Sequence, residues 1–359
     1  MGSTTVSSDA TDEVGLPVSS RTFDAVVAVF SLLTVAGIAA DFRSHANGIS
    51  FAEEGFLTAE HVFFYSAFLV VAVTLFAGTI LRRRRGMDWV TAVPPGYRWG
   101  IVGVLVFGFG GVGDFVWHSA FGFEESFEAL VSPSHLTLAV GSVLFLASPL
   151  RAAARRGDDA DTALAAVPVV VSMTLVLAIL SMFGGFVNPL VRPYPHYEYH
   201  SMRSVVTMLV AWPLVYVGAT VATLRRFELV PGAFTVAFGL SAFAVAQAEG
   251  FVWLVVPAVV AGVLADVFAV HARRVGVVRA LRSRSFTAFA AGLPAAFTTT
   301  YFTVVDLTVG IDHSHVYEGM FNWSIHVVVG AVVLAALAGV LFASVVVDGR
   351  TASTAAEVS

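Results

Sequence analysis

The chain has 359 residues, of which 57% are hydrophobic and 13% charged, and its formal net charge is −5. Soluble domains carry about 25% charged residues, so this composition excludes an ordinary soluble protein and indicates a membrane protein with many spans. The lack of cysteine excludes disulfides, iron–sulfur clusters and thiolate metal sites. The small negative charge gives no indication of nucleic-acid binding.

Ten apolar helices are predicted along the chain. Segment 1–20 is polar and lacks the basic and apolar regions of a signal peptide, so we expect a disordered cytoplasmic tail. The helices are predicted at roughly 22–41, 56–81, 99–120, 134–150, 162–186, 201–224, 231–248, 251–271, 286–308 and 323–347. They would form one all-α, polytopic membrane helix bundle over 21–348 in the lipid bilayer, with a second disordered tail at 349–359.

The arginines predict the orientation of this bundle. They cluster at alternate helix ends, so that 17 of the 20 fall on one side and Arg43, Arg192 and Arg203 fall on the other. The positive-inside rule makes the arginine-rich side, and with it both termini, cytoplasmic. All 20 basic residues are arginine, and together with many Ala, Val and Gly this favours a salt-adapted, haloarchaeal source.

The histidines show the opposite distribution. Nine of the ten fall at the extracytoplasmic ends of helices or in the loops on that side, and His271 is the exception. The nine are His45, His61, His118, His135, His196, His200, His313, His315 and His326. Ionisable residues in membrane segments are costly and tend to mark functional sites, so we expect a site at this end of the bundle.

The strongest candidate site lies in the segment "GDFVWHSAFGFEESFEALVSPSHL" (113–136). Asp114 and His118 are four residues apart and share a helix face, while His135 begins the next helix. Antiparallel neighbours joined by a loop bring those ends together. Two imidazoles and one carboxylate suit copper, zinc or iron, and the ligand types alone do not choose among these metals.

Weaker candidates surround this trio. A similar arrangement near the C terminus predicts a second metal site, formed by Asp312, His313, His315 and His326. Side chains that could orient the ligands or replace one of them are Glu60, His61, His196, His200 and Glu318. A lone histidine at a helix end, such as His45, is typical of a surface or headgroup-facing residue.

The same segment resembles a known family. Asp114, Trp117 and His118, then an acidic loop and "SPSH" (132–135), are similar to the metal-site segment of the C subunit of copper membrane monooxygenases, the particulate methane and ammonia monooxygenases. The resemblance implies copper binding by Asp114, His118 and His135. "EGMFNWSIHVVVG" (318–330) is similar to a second family segment and would place His326 at a further metal site, while another alignment puts that segment at 188–200.

These observations predict a copper-binding membrane protein, with zinc or iron as the alternative metal. The resemblance implies a monooxygenase-like oxidoreductase that acts on a small apolar substrate, with further membrane subunits or a homo-oligomer as partners. A metal transporter, sensor or storage protein is the non-enzymatic alternative, although transporter ligands are expected near the bilayer midplane. A haem cytochrome would need facing histidines at mid-helix, and the sequence does not place them there.

Overall fold

A computed structural model describes residues 18–46, 56–122, 130–185, 187–191, 202–248, 250–309 and 325–348. Within these ranges the protein consists of helices and connecting turns, without a β-strand. The helices are α1 Ser20–Ala46, α2 Ala59–Arg84, α3 Trp89–Ala92, α4 Arg98–Phe121, α5 Pro133–Leu146, α6 Ser148–Arg156, α7 Ala163–Phe183, α8 Met202–Leu224, α9 Ala233–Ala246, α10 Val255–Val275, α11 Val277–Leu281, α12 Arg284–Val309 and α13 Ile325–Asp348.

The predicted polytopic helix bundle is confirmed. In the described part, nine spans of 20 to 26 residues are long and apolar enough to cross a membrane. The helix predicted at 231–248 is α9, which has 14 residues; at about 1.5 Å per residue it is shorter than the hydrocarbon core of a bilayer. Large apolar side chains on the long helices are exposed, including Phe109 at 76% and Leu69 at 59%. A lipid environment accounts for this surface.

The described residues form two compact units, one within Met1–Asp158 and Val167–Leu180 and the other within Asp159–Ala166 and Ser181–Ser359. The first unit contains two helical hairpins. Hairpin A consists of α1 and α2, and hairpin B consists of α4 with α5 and α6. Glycines allow the helices of hairpin B to approach closely, because a Cβ at Gly141 would lie 2.5 Å from the backbone nitrogen of Phe107.

Buried polar contacts fix the arginine-rich end of the first unit. Asp24, near the start of α1, pairs with Arg156 at the end of α6 and accepts a hydrogen bond of 2.6 Å from the Tyr97 hydroxyl. The start of α1 and the end of α6 therefore meet at this end. The end of α1, the start of α2, the end of α4 and the start of α5 lie at the opposite end, where the predicted site residues fall.

The second unit also contains antiparallel helix pairs. Asp266 of α10 accepts hydrogen bonds from the backbone of Phe234 and Thr235, at 3.2 and 3.0 Å, and so caps the start of α9. In the other pair, Gly339 of α13 packs against the backbone of Ala290 in α12. His271 lies at the arginine-bearing end of α10, 2.9 Å from the hydroxyl of Ser285.

Candidate metal centre

Three of the predicted ligands converge at the helix ends of hairpin B. Asp114 and His118 lie on the last two turns of α4, and His135 is the third residue of α5. The Asp114 carboxylate oxygen Oδ1 is 3.4 Å from His118 Nε2 and 3.6 Å from His135 Nε2. The ligand atoms of the three residues all lie within 4.8 Å of one another, so a single metal ion could contact all three.

Residues next to the ligands orient the two imidazole rings. His118 Nδ1 is 3.1 Å from the carbonyl oxygen of Gly122, and His135 Nδ1 is 2.9 Å from the Ser132 hydroxyl. The same Ser132 caps the helix by accepting from the His135 backbone nitrogen. Ser134 donates a hydrogen bond of 2.8 Å to Asp114 Oδ1. Ligating histidines in proteins are held through their second ring nitrogen in this way.

The hydrogen bond to Gly122 determines which nitrogen of the His118 ring carries the proton. A carbonyl only accepts, so His118 Nδ1 carries the proton. In the neutral ring Nε2 then has a lone pair, and that lone pair faces the carboxylate of Asp114. Two acceptors face each other, and this arrangement is stable only with a proton or a metal ion between them.

The separations at Asp114 are compatible with a shared metal ion. A charge-assisted hydrogen bond between imidazolium and carboxylate has a length of about 2.7–2.9 Å. Ligand atoms bound at about 2.0–2.2 Å around a tetrahedral ion are separated by roughly 3.3–3.6 Å. The two separations at Asp114, 3.4 and 3.6 Å, fall in the second range. The side chains of Asp114 and His118 are 4% and 8% exposed, so the pair is withdrawn from solvent.

A second cluster of the same composition lies at the same end of the first unit, in hairpin A. Asp41 and His45 are on the last turns of α1, and His61 is the third residue of α2. Their ligand atoms also lie within 4.8 Å of one another. Sequence reasoning missed Asp41 and treated His45 as a surface residue. The signal was present, because "DFRSH" (41–45) repeats the Asp-Phe-x-x-His pattern of "DFVWH" (114–118).

The two clusters are close together. The Phe56 ring contacts His61, with ring centroids 4.9 Å apart, and approaches His118, with centroids 6.5 Å apart. Tyr65 also contacts His61, with ring centroids 6.0 Å apart, and its ring centroid lies 6.3 Å from that of Phe56. Aromatic rings therefore line the space between the two sets of imidazoles.

The remaining predicted site residues are placed as follows. Glu60 accepts a hydrogen bond of 2.8 Å from Ser44 and so ties the end of α1 to the start of α2. His326 is the second residue of α13, and the description of the structure does not extend to its side chain. Six predicted residues lie outside the described ranges: His196, His200, Asp312, His313, His315 and Glu318. The predicted C-terminal metal site stays a prediction.

Comparison with protein-family models, with curated proteins and with solved structures finds no match to the chain.

Proposed function

We propose that this membrane protein binds a transition-metal ion through Asp114, His118 and His135. The observation that carries the proposal is the pair of Nε2 atoms directed at one buried carboxylate oxygen, at distances typical of ligands around a shared ion. Copper is the favoured metal, because the donor set suits it and the resembled family uses it, with zinc or iron as the alternative.

We further propose an oxidoreductase of the monooxygenase type. Catalytic metal sites keep an open coordination position, and the described residues supply three protein ligands at this cluster. A bound copper ion with such a position would supply dioxygen activation for the hydroxylation of a substrate. The residues adjoining the ligands, Phe115 at 52% and Leu136 at 45% exposure, leave apolar surface exposed beside the site. They support lateral entry of a small apolar substrate.

The proposed orientation places the site on the extracytoplasmic face of the cell membrane. Arg82, Arg83 and Arg84 end α2 at the opposite end of the first unit from Asp114, in keeping with the positive-inside rule. A non-catalytic role in metal transport, sensing or storage would use the same three ligands. Reductant-dependent oxygen consumption that requires an added apolar substrate separates the two roles.

The test of metal binding uses protein purified in nanodiscs and loaded with Cu(II). We expect His118→Ala to lose one bound copper ion per chain, together with that ion's share of the nitrogen-coordinated Cu(II) signal in electron paramagnetic resonance. His271→Ala is the matched control, because it removes a histidine that contacts Ser285 at the arginine-bearing end of α10. Equal copper content and unchanged spectra in wild type and His118→Ala would overturn the assignment, whatever the activity of the protein.

A further inference from the structure

Hairpins A and B share one motif of sequence and structure. In each, an Asp-Phe-x-x-His segment ends the first helix, at 41–45 and at 114–118. In each, a hydroxyl residue caps the second helix and a histidine is its third residue, Thr58 and His61 or Ser132 and His135. The later histidine follows the aspartate by 20 residues in hairpin A and by 21 in hairpin B.

The two hairpins also share a close helix–helix contact beside the cluster. Gly37 lies four residues before Asp41, and Gly110 lies four residues before Asp114. A Cβ at Gly37 would lie 2.7 Å from Phe64 Cβ, and a Cβ at Gly110 would lie 3.0 Å from the backbone nitrogen of Leu138. Phe64 and Leu138 each follow their site histidine by three residues. The same close approach therefore brings the two helices together beside each cluster.

The geometry of the hairpin A cluster calls for a cation. Asp41 Oδ2 is 3.3 Å from His45 Nε2, and Asp41 Oδ1 is 3.3 Å from His61 Nε2. His61 Nδ1 is 2.5 Å from the carbonyl oxygen of Phe56 and must donate to it. In the neutral ring the Nε2 lone pair then faces Asp41 Oδ1, which is buried and accepts no hydrogen bond of normal geometry in the described structure.

We propose that Asp41, His45 and His61 hold a second transition-metal ion, in addition to the one at Asp114. Both separations at Asp41 are longer than a charge-assisted hydrogen bond and match the separation of ligands around a tetrahedral ion, roughly 3.3–3.6 Å. The ligand set selects the same class of ion as hairpin B, a divalent metal that accepts imidazole and carboxylate, such as Cu(II) or Zn(II).

The two sites differ in access. The side chain of His45 is 38% exposed, whereas the side chains of His118 and His135 are 8% and 23% exposed. A chelator from solution therefore reaches the hairpin A ion more easily. We expect this ion to be the first that leaves when a chelator is added.

The experiment counts ions per chain. Wild type, His45→Ala, His118→Ala and the double variant are loaded in nanodiscs with Cu(II) alone, freed of loose metal and analysed for copper and protein. We expect two copper ions per chain in wild type, one in each single variant and none in the double variant. His45→Ala changes a partly exposed side chain at the end of a helix, and thermal unfolding of the four metal-free proteins shows whether any variant fails to fold.

The outcomes separate this inference from the proposed function. One ion in wild type that is lost in His118→Ala and kept in His45→Ala refutes the second site and leaves the first intact. Two ions that both persist in His45→Ala also refute it. The absence of any ion in wild type refutes both sites, and Asp41 and His61 would then form an imidazolium–carboxylate pair.

Discussion

Ser132 offers the sharpest test of how the hairpin B site is held. Its hydroxyl lies 2.9 Å from His135 Nδ1, and it also accepts from the His135 backbone nitrogen at 3.3 Å. Ser132→Ala removes both interactions. Loss of the helix cap costs about 1 kcal/mol of stability. Loss of a hydrogen bond that orients a ligating imidazole reduces metal affinity by about 10–100-fold.

Thr58→Ala is the matched control, because it removes a helix cap without removing a hydrogen bond to a ligating imidazole. Thr58 caps α2 by accepting from the His61 backbone nitrogen at 3.1 Å, whereas the His61 ring is held by the carbonyl oxygen of Phe56. Both variants should therefore lower the thermal stability of the metal-free protein by similar amounts. Only Ser132→Ala should weaken the hairpin B site, and Ser132→Thr should restore it.

The affinity is measured by competition with a colorimetric copper chelator. Both alanine variants are made in a His45→Ala background, so that hairpin B supplies the site that is titrated. The reasoning is refuted if Ser132→Ala and Thr58→Ala destabilise the protein equally and leave copper affinity equally unchanged. In that case Ser132 is a helix cap and nothing more.

Two further predictions concern packing and orientation. Gly103→Ala should destabilise hairpin B by about 1–3 kcal/mol, because its Cβ would lie 2.6 Å from the backbone of the neighbouring helix. Gly108→Ala is the control and should not destabilise the hairpin, because a Cβ at this position of the same helix would have nothing within 4 Å. Equal thermal unfolding of the two variants would contradict the packing. The chain has no native cysteine, so single cysteines report the orientation. Leu57→Cys should react with a membrane-impermeant maleimide from outside the cell, and Val90→Cys should react from the cytoplasm only. The reverse pattern would invert the proposed orientation.

Sequence reasoning found the hairpin B cluster because local rules determine it. The four-residue spacing places Asp114 and His118 on one helix face, and a short connection brings His135 to the same end. Each of these relations can be predicted without any knowledge of how the hairpins pack. The length and polarity of the apolar runs predict the helices for the same reason.

Other parts of the site depend on contacts that the sequence does not display. The groups that orient His118 and His61 are backbone carbonyls of Gly122 and Phe56, and any residue type supplies such a carbonyl. Asp41 lies in an apolar helix that also carries Asp24, and such isolated acidic residues resemble ordinary polar packing. The sequence feature that distinguishes Asp41 is the Asp-Phe-x-x-His pattern, which occurs at 41–45 and again at 114–118.

The two hairpins differ in how the aspartate of each cluster is held. In hairpin B, Ser134 donates to Asp114 Oδ1, so that the carboxylate keeps a hydrogen bond even without an ion. In hairpin A, the equivalent position is Glu60, whose carboxylate accepts from Ser44 and leaves Asp41 Oδ1 without a donor. A buried acceptor without a partner costs about 1–3 kcal/mol, more for a charged group. A cation at hairpin A would remove that penalty, so the more solvent-accessible ion should also be the one whose binding contributes more to the stability of its hairpin.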